Sequence, residues 1–217
     1  MINNLTVIKP RLKEIFNLNN PDLFFHVEVL QRKKENPDIN RNSNVICSYA
    51  IKNMEYLEYN LQKEIIPICE SLNARAMIDL NPKSFKKVTH SILRRVSEYI
   101  ESNLYDGALT KLFDSCTDSS SVDYKELGLE KYWIIDIDKK IPKFYIYEIY
   151  KLLYQYCSPL NEYKAEFVIN SKNGYHIITK PFNLKDYESL KLKNQEIFKD
   201  IEIKKACLTN LYIKSDE

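Results

Sequence analysis

Two aspartates two residues apart, Asp136 and Asp138, interrupt an otherwise apolar run, Trp133-Ile-Ile-Asp136-Ile-Asp138. In a β-strand, residues i and i+2 project from one face, so both carboxylates share a side while Ile137 turns to the core. Like charges held this close call for a cation, and carboxylate oxygens suit Mg²⁺ or Mn²⁺. A second polar island, Ser171-Lys-Asn-Gly174-Tyr-His176, sets a hydroxyl, an ammonium and an imidazole around a tight turn. Gly174 would let a phosphate approach the backbone, Ser171 and His176 offer it hydrogen bonds, and Lys172 adds charge. A third acid, Glu202, lies between Ile201 and Ile203 as a further metal ligand, with Asp200 of the same parity as a competitor. Each group also has a plainer reading. Asp138 opens a solvent turn with the lysines after it, and a lone histidine on a strand is commonly an ordinary packed residue.

Positioning these groups requires strands, and the sequence predicts an α+β fold in two lobes. In the first lobe, residues 1–113, the alternation of Phe24 to Leu30 predicts a strand, followed by a polar loop and a return strand from Asn44 to Ile51. Apolar spacing over 54–72 predicts a helix kinked by Pro67, and Ala74–Leu80 a short strand. Asn81-Pro82 reads as the start of a helix to about Asn103, with Phe85, Val88, Ile92 and Val96 on its apolar face. Its other face carries Lys83, Lys86, Lys87, His90 and Arg94. That row reads either as a solvated face or as a phosphate-backbone contact surface for nucleic acid.

Residues 114–125 are small and polar and read as a linker. The second lobe, 126–217, then runs strand, helix, hairpin, helix, strand. The Asn173-Gly174 pair marks the hairpin turn, and the chain closes with one or two strands between Ile201 and Ile213. The order β-α-β-β-α-β is the RRM-like, or ferredoxin-like, arrangement.

Composition narrows the function classes. With 217 residues, 44% of them hydrophobic, the chain can bury a real core. A net charge of +2 leaves any nucleic-acid contact to local basic patches. The five cysteines form no Cys-x-x-Cys pair, which argues against a zinc ribbon and for reduced cytoplasmic thiols. No apolar stretch approaches the ~18 residues of a membrane span, and no leader segment is expected. Only three glycines occur, consistent with the Asn-, Ile-, Lys- and Tyr-rich coding bias of an AT-rich genome.

The three elements in this order, an apolar strand with Asp136 and Asp138, then Ser171-x-x-Gly174-x-His176, then Glu202 between isoleucines, resemble the archaeo-eukaryotic primase superfamily. The likeness covers residues 131 to about 213. It implies a primase- or polymerase-like nucleotidyltransferase that joins (d)NTPs on a nucleic-acid template by two-metal catalysis. By the resemblance, Asp136, Asp138 and Glu202 would hold Mg²⁺ or Mn²⁺, while Ser171 and His176 would contact the incoming nucleoside triphosphate. A single-stranded DNA or RNA template would run along Lys83, Lys86, Lys87 and Arg94. A separate helicase or replication protein would recruit the chain, in a bacterial or phage-infected cell. The departures are the lack of a zinc module and of a further basic residue beyond Lys172 between serine and histidine. Two other readings stand beside it. One is a replication accessory that binds single-stranded nucleic acid through a degenerate site. The other is a phosphodiesterase pairing His26 with His176.

Overall fold

The structure is a computed structural model that describes residues 1–103, 112–117, 120–139, 141–198 and 200–214. It is a mixed α+β fold built on two antiparallel sheets. A short strand β1 (Ile2–Asn3) leads into helix α1 (Leu5–Phe16), which buries Ile8, Leu12 and Ile15. No sequence expectation covered α1, although its three- and four-residue apolar steps are regular; Pro10 inside it obscures the helical signal.

Strands β2 (Leu23–Arg32) and β3 (Ser43–Ile51) form the long-tipped hairpin. Helix α2 (Met54–Asn60) continues through a π-turn at Leu61–Ile65 into α3 (Ile66–Ser71). The widened turn ends two residues before Pro67, whose ring and missing N–H disrupt α-helical bonding to the preceding turn. The expected kink is thus taken up as a bulge.

Strand β4 (Arg75–Asp79) is followed by β5 (Lys83–Ser84), which pairs with β2. Helix α4 (Phe85–Glu101) therefore starts later than Asn81-Pro82. Ser84 caps it, the hydroxyl accepting from the Lys87 amide at 3.1 Å. A short helix α5 (Leu112–Thr117) packs Cys116 against Phe24 and Val88.

The expected linker is consequently not a solvated tether. Cys116, Thr117 and Ser120 are buried, and Lys83 bridges to Ser121. Backbone and hydroxyl hydrogen bonds satisfy the small polar residues there: the Ser120 hydroxyl donates to the Cys116 carbonyl at 2.6 Å. Residues 118 and 119 of that segment lie outside the described ones.

The C-terminal elements run β6 (Trp133–Ile137), α6 (Lys143–Tyr156), β7 (Ala165–Asn170), β8 (Tyr175–Thr179), α7 (Leu184–Lys193), α8 (Gln195–Phe198), β9 (Ile201–Lys204) and β10 (Leu208–Ile213). The second sheet is ordered β7-β8-β6-β9, so β6 is flanked by β8 and β9. Its odd-numbered isoleucines, Ile135, Ile137, Ile177 and Ile201, pack with α6 and α7. The opposite face turns Ile134, Ile169 and Ile178 into the core of the first sheet, so the two sheets meet through one apolar layer.

β10 departs from the expected lobe boundary. It leaves the second sheet and inserts between β1 and β4 of the first, in the order β1-β10-β4-β2-β3. Two asparagines fasten the lobes. Asn81 exchanges side-chain bonds with both backbone groups of Tyr132, each at 2.8 Å. Asn4 donates to the carbonyls of Asn170 and Asn210 at 3.0 and 2.9 Å.

Candidate functional site: a cleft between the two sheets

Where the apolar layer ends, the sheets part around a cleft of about 550 Å³. That lies within the range of small-molecule sites, roughly 300–1,000 Å³. Register explains its floor. Asp136 on the central strand pairs directly with His176 on β8 and with Glu202 on β9. Antiparallel partners share a face, so three titratable groups stand abreast. Asp138, Ser171 and Lys172 line the same cleft. Six of the sequence-predicted site residues are thereby brought together from three strands and a turn.

Asp136 is the best-positioned of them. It is buried, and burial alone would raise its pKa. Hydrogen bonds from His176 and Lys204, with their charges, outweigh that and hold the carboxyl at about 2. His176 Nε2 lies 3.3 Å from one Asp136 oxygen, and the Lys204 ammonium caps the other. An ionised carboxylate only accepts, so the Nε2 position carries the proton facing it. His176 Nδ1 meets the Thr209 hydroxyl at 2.8 Å. Thr209 belongs to β10, so a strand of the first sheet orients the imidazole of the second.

Other expected groups are placed differently. Asp138 and Glu202 are solvent-exposed at the mouth. Asp200 is paired with Lys139 at 2.5 Å. Ser171 closes the hairpin turn, its hydroxyl accepting from the Gly174 amide at 3.0 Å. Gly174 does not line the cleft, and it has no positive φ. A Cβ there would fall 1.8 Å from the Ile137 carbonyl oxygen, so the close approach is to the protein's own strand β6, not to a phosphate.

The four cations assigned to a template surface do not line the cleft. Lys83 lies in β5, buried, with its ammonium 3.0 Å from Asp79. Lys87 donates to the Ser121 carbonyl at 2.7 Å, while Lys86 and Arg94 are exposed on α4. His26 is buried among Glu28, Asp114 and Phe113 and does not line the cleft that holds His176. The pairing required by the phosphodiesterase reading is absent among the described residues.

The sequence reading missed the opposing wall. Arg32, Lys34, Glu35 and Arg75 come from the β2–β3 hairpin and β4, and Lys204 from β9. Lys204 was accessible by parity, two residues beyond Glu202. Arg75 shares the parity of Met77 and Asp79, but the apolar Ala-Met-Ile between the two charges leaves no alternation to mark it. Asn210, also lining the cleft, is buried with its Oδ1 lacking a hydrogen-bond partner among the described residues.

Among the described residues, no three His, Cys, Asp or Glu side chains are gathered closely enough to hold a metal ion. In donor type, the three carboxylates suit Mg²⁺ or Mn²⁺. The half-exposed Lys204 ammonium sits on Asp136. No helix among the described residues is long and apolar enough to cross a membrane. No family model, curated protein or solved structure matches the chain.

Proposed function

We propose that the cleft binds a nucleoside triphosphate and that the protein is a primase- or polymerase-like nucleotidyltransferase acting on a nucleic-acid template. The observation that carries this reading is the alignment of Asp136, His176 and Glu202 across three neighbouring strands, facing a wall of cations in a cleft of nucleotide size. The strand order β7-β8-β6-β9 supports the RRM-like reading of the second lobe. Lys172 and Ser171 would bind phosphate oxygens, and His176, held between Thr209 and Asp136, would fix the orientation of the carboxylate. Asp136, Asp138 and Glu202 would hold Mg²⁺ or Mn²⁺ only by closing together around it, since they are not gathered in this structure. When bound, the metal would neutralise phosphate charge and lower the cost of in-line attack by a 3′-hydroxyl.

The test is incorporation of labelled (d)NTP on single-stranded template with Mg²⁺ or Mn²⁺. Metal-dependent product that disappears in Asp136→Ala is the expected result. Product that persists in Asp136→Ala rules the reading out.

One observation favours a second reading. Lys204 already compensates Asp136, and the acids are not gathered round an ion. A replication accessory that binds single-stranded nucleic acid without catalysis would carry such a site. It would show salt-sensitive strand binding indifferent to metal. A helicase or another replication protein remains the expected class of partner under either reading.

A further inference from the structure

The wall opposite the acids contains a buried cation with unused hydrogen-bonding capacity. Arg75 on β4 lines the cleft with its side chain 7% exposed. Its Nε–H has no hydrogen-bond partner among the described residues. Leaving such a donor unmet in a buried place costs free energy. Its terminal nitrogen donates to the carboxylate of Glu35. That same carboxylate oxygen faces Lys172 Nζ, 3.5 Å away across the cleft. Glu35 is thus clamped between two cations, one from each lobe, while itself only 11% exposed.

The backbone of Glu35 is held independently of its side chain. Its amide donates to the Arg32 carbonyl at 2.9 Å, and its carbonyl accepts from Asn73 Nδ2 at 2.9 Å. The carboxylate is therefore able to swing away without unravelling the hairpin. A phosphate group offers more acceptor oxygens than a carboxylate, and a guanidinium fork matches that geometry.

We propose that Arg75 and Lys172 form a phosphate subsite whose resident anion, in the ligand-free protein, is Glu35. The terminal phosphates of a polyphosphate ligand displace Glu35 and take the orphan Nε–H of Arg75. The phosphate part rests on these residues alone; assigning the ligand as a nucleoside triphosphate rests on the nucleotidyltransferase reading. Glu35 then acts as a selectivity filter, because only a ligand more anionic than a carboxylate replaces it.

The experiment is calorimetric titration of the full chain with inorganic tripolyphosphate. Glu35→Gln removes the competing charge and is expected to bind about tenfold tighter than wild type. Lys172→Met, at a partly exposed position, is expected to bind about tenfold more weakly. Unchanged or weakened binding in Glu35→Gln overturns the subsite. So does unchanged binding in Lys172→Met.

A single-stranded oligonucleotide lacking terminal phosphate is the second titrant. Its affinity should not respond to Glu35→Gln; an equal gain would overturn the assignment to terminal phosphates. Tighter tripolyphosphate binding in a protein that forms no product keeps the subsite and rejects the nucleotidyltransferase. Product formation with unresponsive tripolyphosphate binding does the reverse.

Discussion

The cleft floor and the outer face of α4 carry similar charged side chains, yet the fold treats them in opposite ways. On the floor, Asp136 is buried and contacted from β8 and β9, while the His176 that touches it is oriented from β10. On α4, Lys86 and Arg94 are exposed, and among the described residues Arg94 has only an i,i+4 contact with Glu98 at 3.8 Å. Contacts of that exposed kind contribute little. The difference teaches that a charge's sequence neighbours say less about its role than the number of separate strands that converge on it.

The sharpest way to break the comparison is Asp136→Ala. Loss of (d)NTP incorporation by about 100-fold or more, with the fold retained by circular dichroism, is expected. Paired Lys86→Ala and Arg94→Ala changes should leave that rate within about twofold. Equal losses in both sets would erase the distinction between floor and helix.

Gly174→Ala comes next. A Cβ placed 1.8 Å from the Ile137 carbonyl and 2.9 Å from the Lys139 amide must push β6 out of line. Denaturant unfolding should show a loss of about 2–3 kcal/mol. An unchanged midpoint would mean that the turn does not position β6.

A smaller effect lies in the acid range. The folded Asp136 carboxyl titrates at about 2, below its unfolded value, so its stabilisation is complete above about pH 4 and is lost as pH falls toward 2. Discounting the half-exposed Lys204 for solvent screening, the difference in unfolding free energy between wild type and Asp136→Asn should shrink by about 1–2 kcal/mol across that interval. A pH-independent difference would assign the group's role to packing.

The smallest expected change is in Lys86→Ala/Arg94→Ala itself, whose stability should stay within about 0.5 kcal/mol of wild type by thermal unfolding. A larger loss would make α4's outer face a structural surface.

Much of this was legible in the sequence. Alternation of apolar and acidic residues placed Asp136 and Ile137 on opposite faces, and the Asn-Gly pair located the hairpin. Both signals are local, with a period of two or a two-residue turn. What escaped depends on pairing between distant segments. Arg75 and Glu35 meet Lys172 only after two sheets are assembled, and no local period announces that. The supposed linker failed for a related reason. A small polar composition lowers hydrophobicity without forbidding burial, and Thr117 and Ser120 are buried once their hydroxyls bond to backbone carbonyls.

The path of β10 carries its own consequence for how the molecule is made. Ile2 pairs with Ile213 and Asp79 with Leu208, so the strand that joins β1 to β4 is synthesised after every other strand described. Pairings of such long sequence separation form slowly. The growing polypeptide would hold β4 with an open edge, and His176 without Thr209, until β10 emerges. Competence of the site therefore waits on β10, and a nascent protein stalled before Leu208 would present an edge to its neighbours and no oriented imidazole.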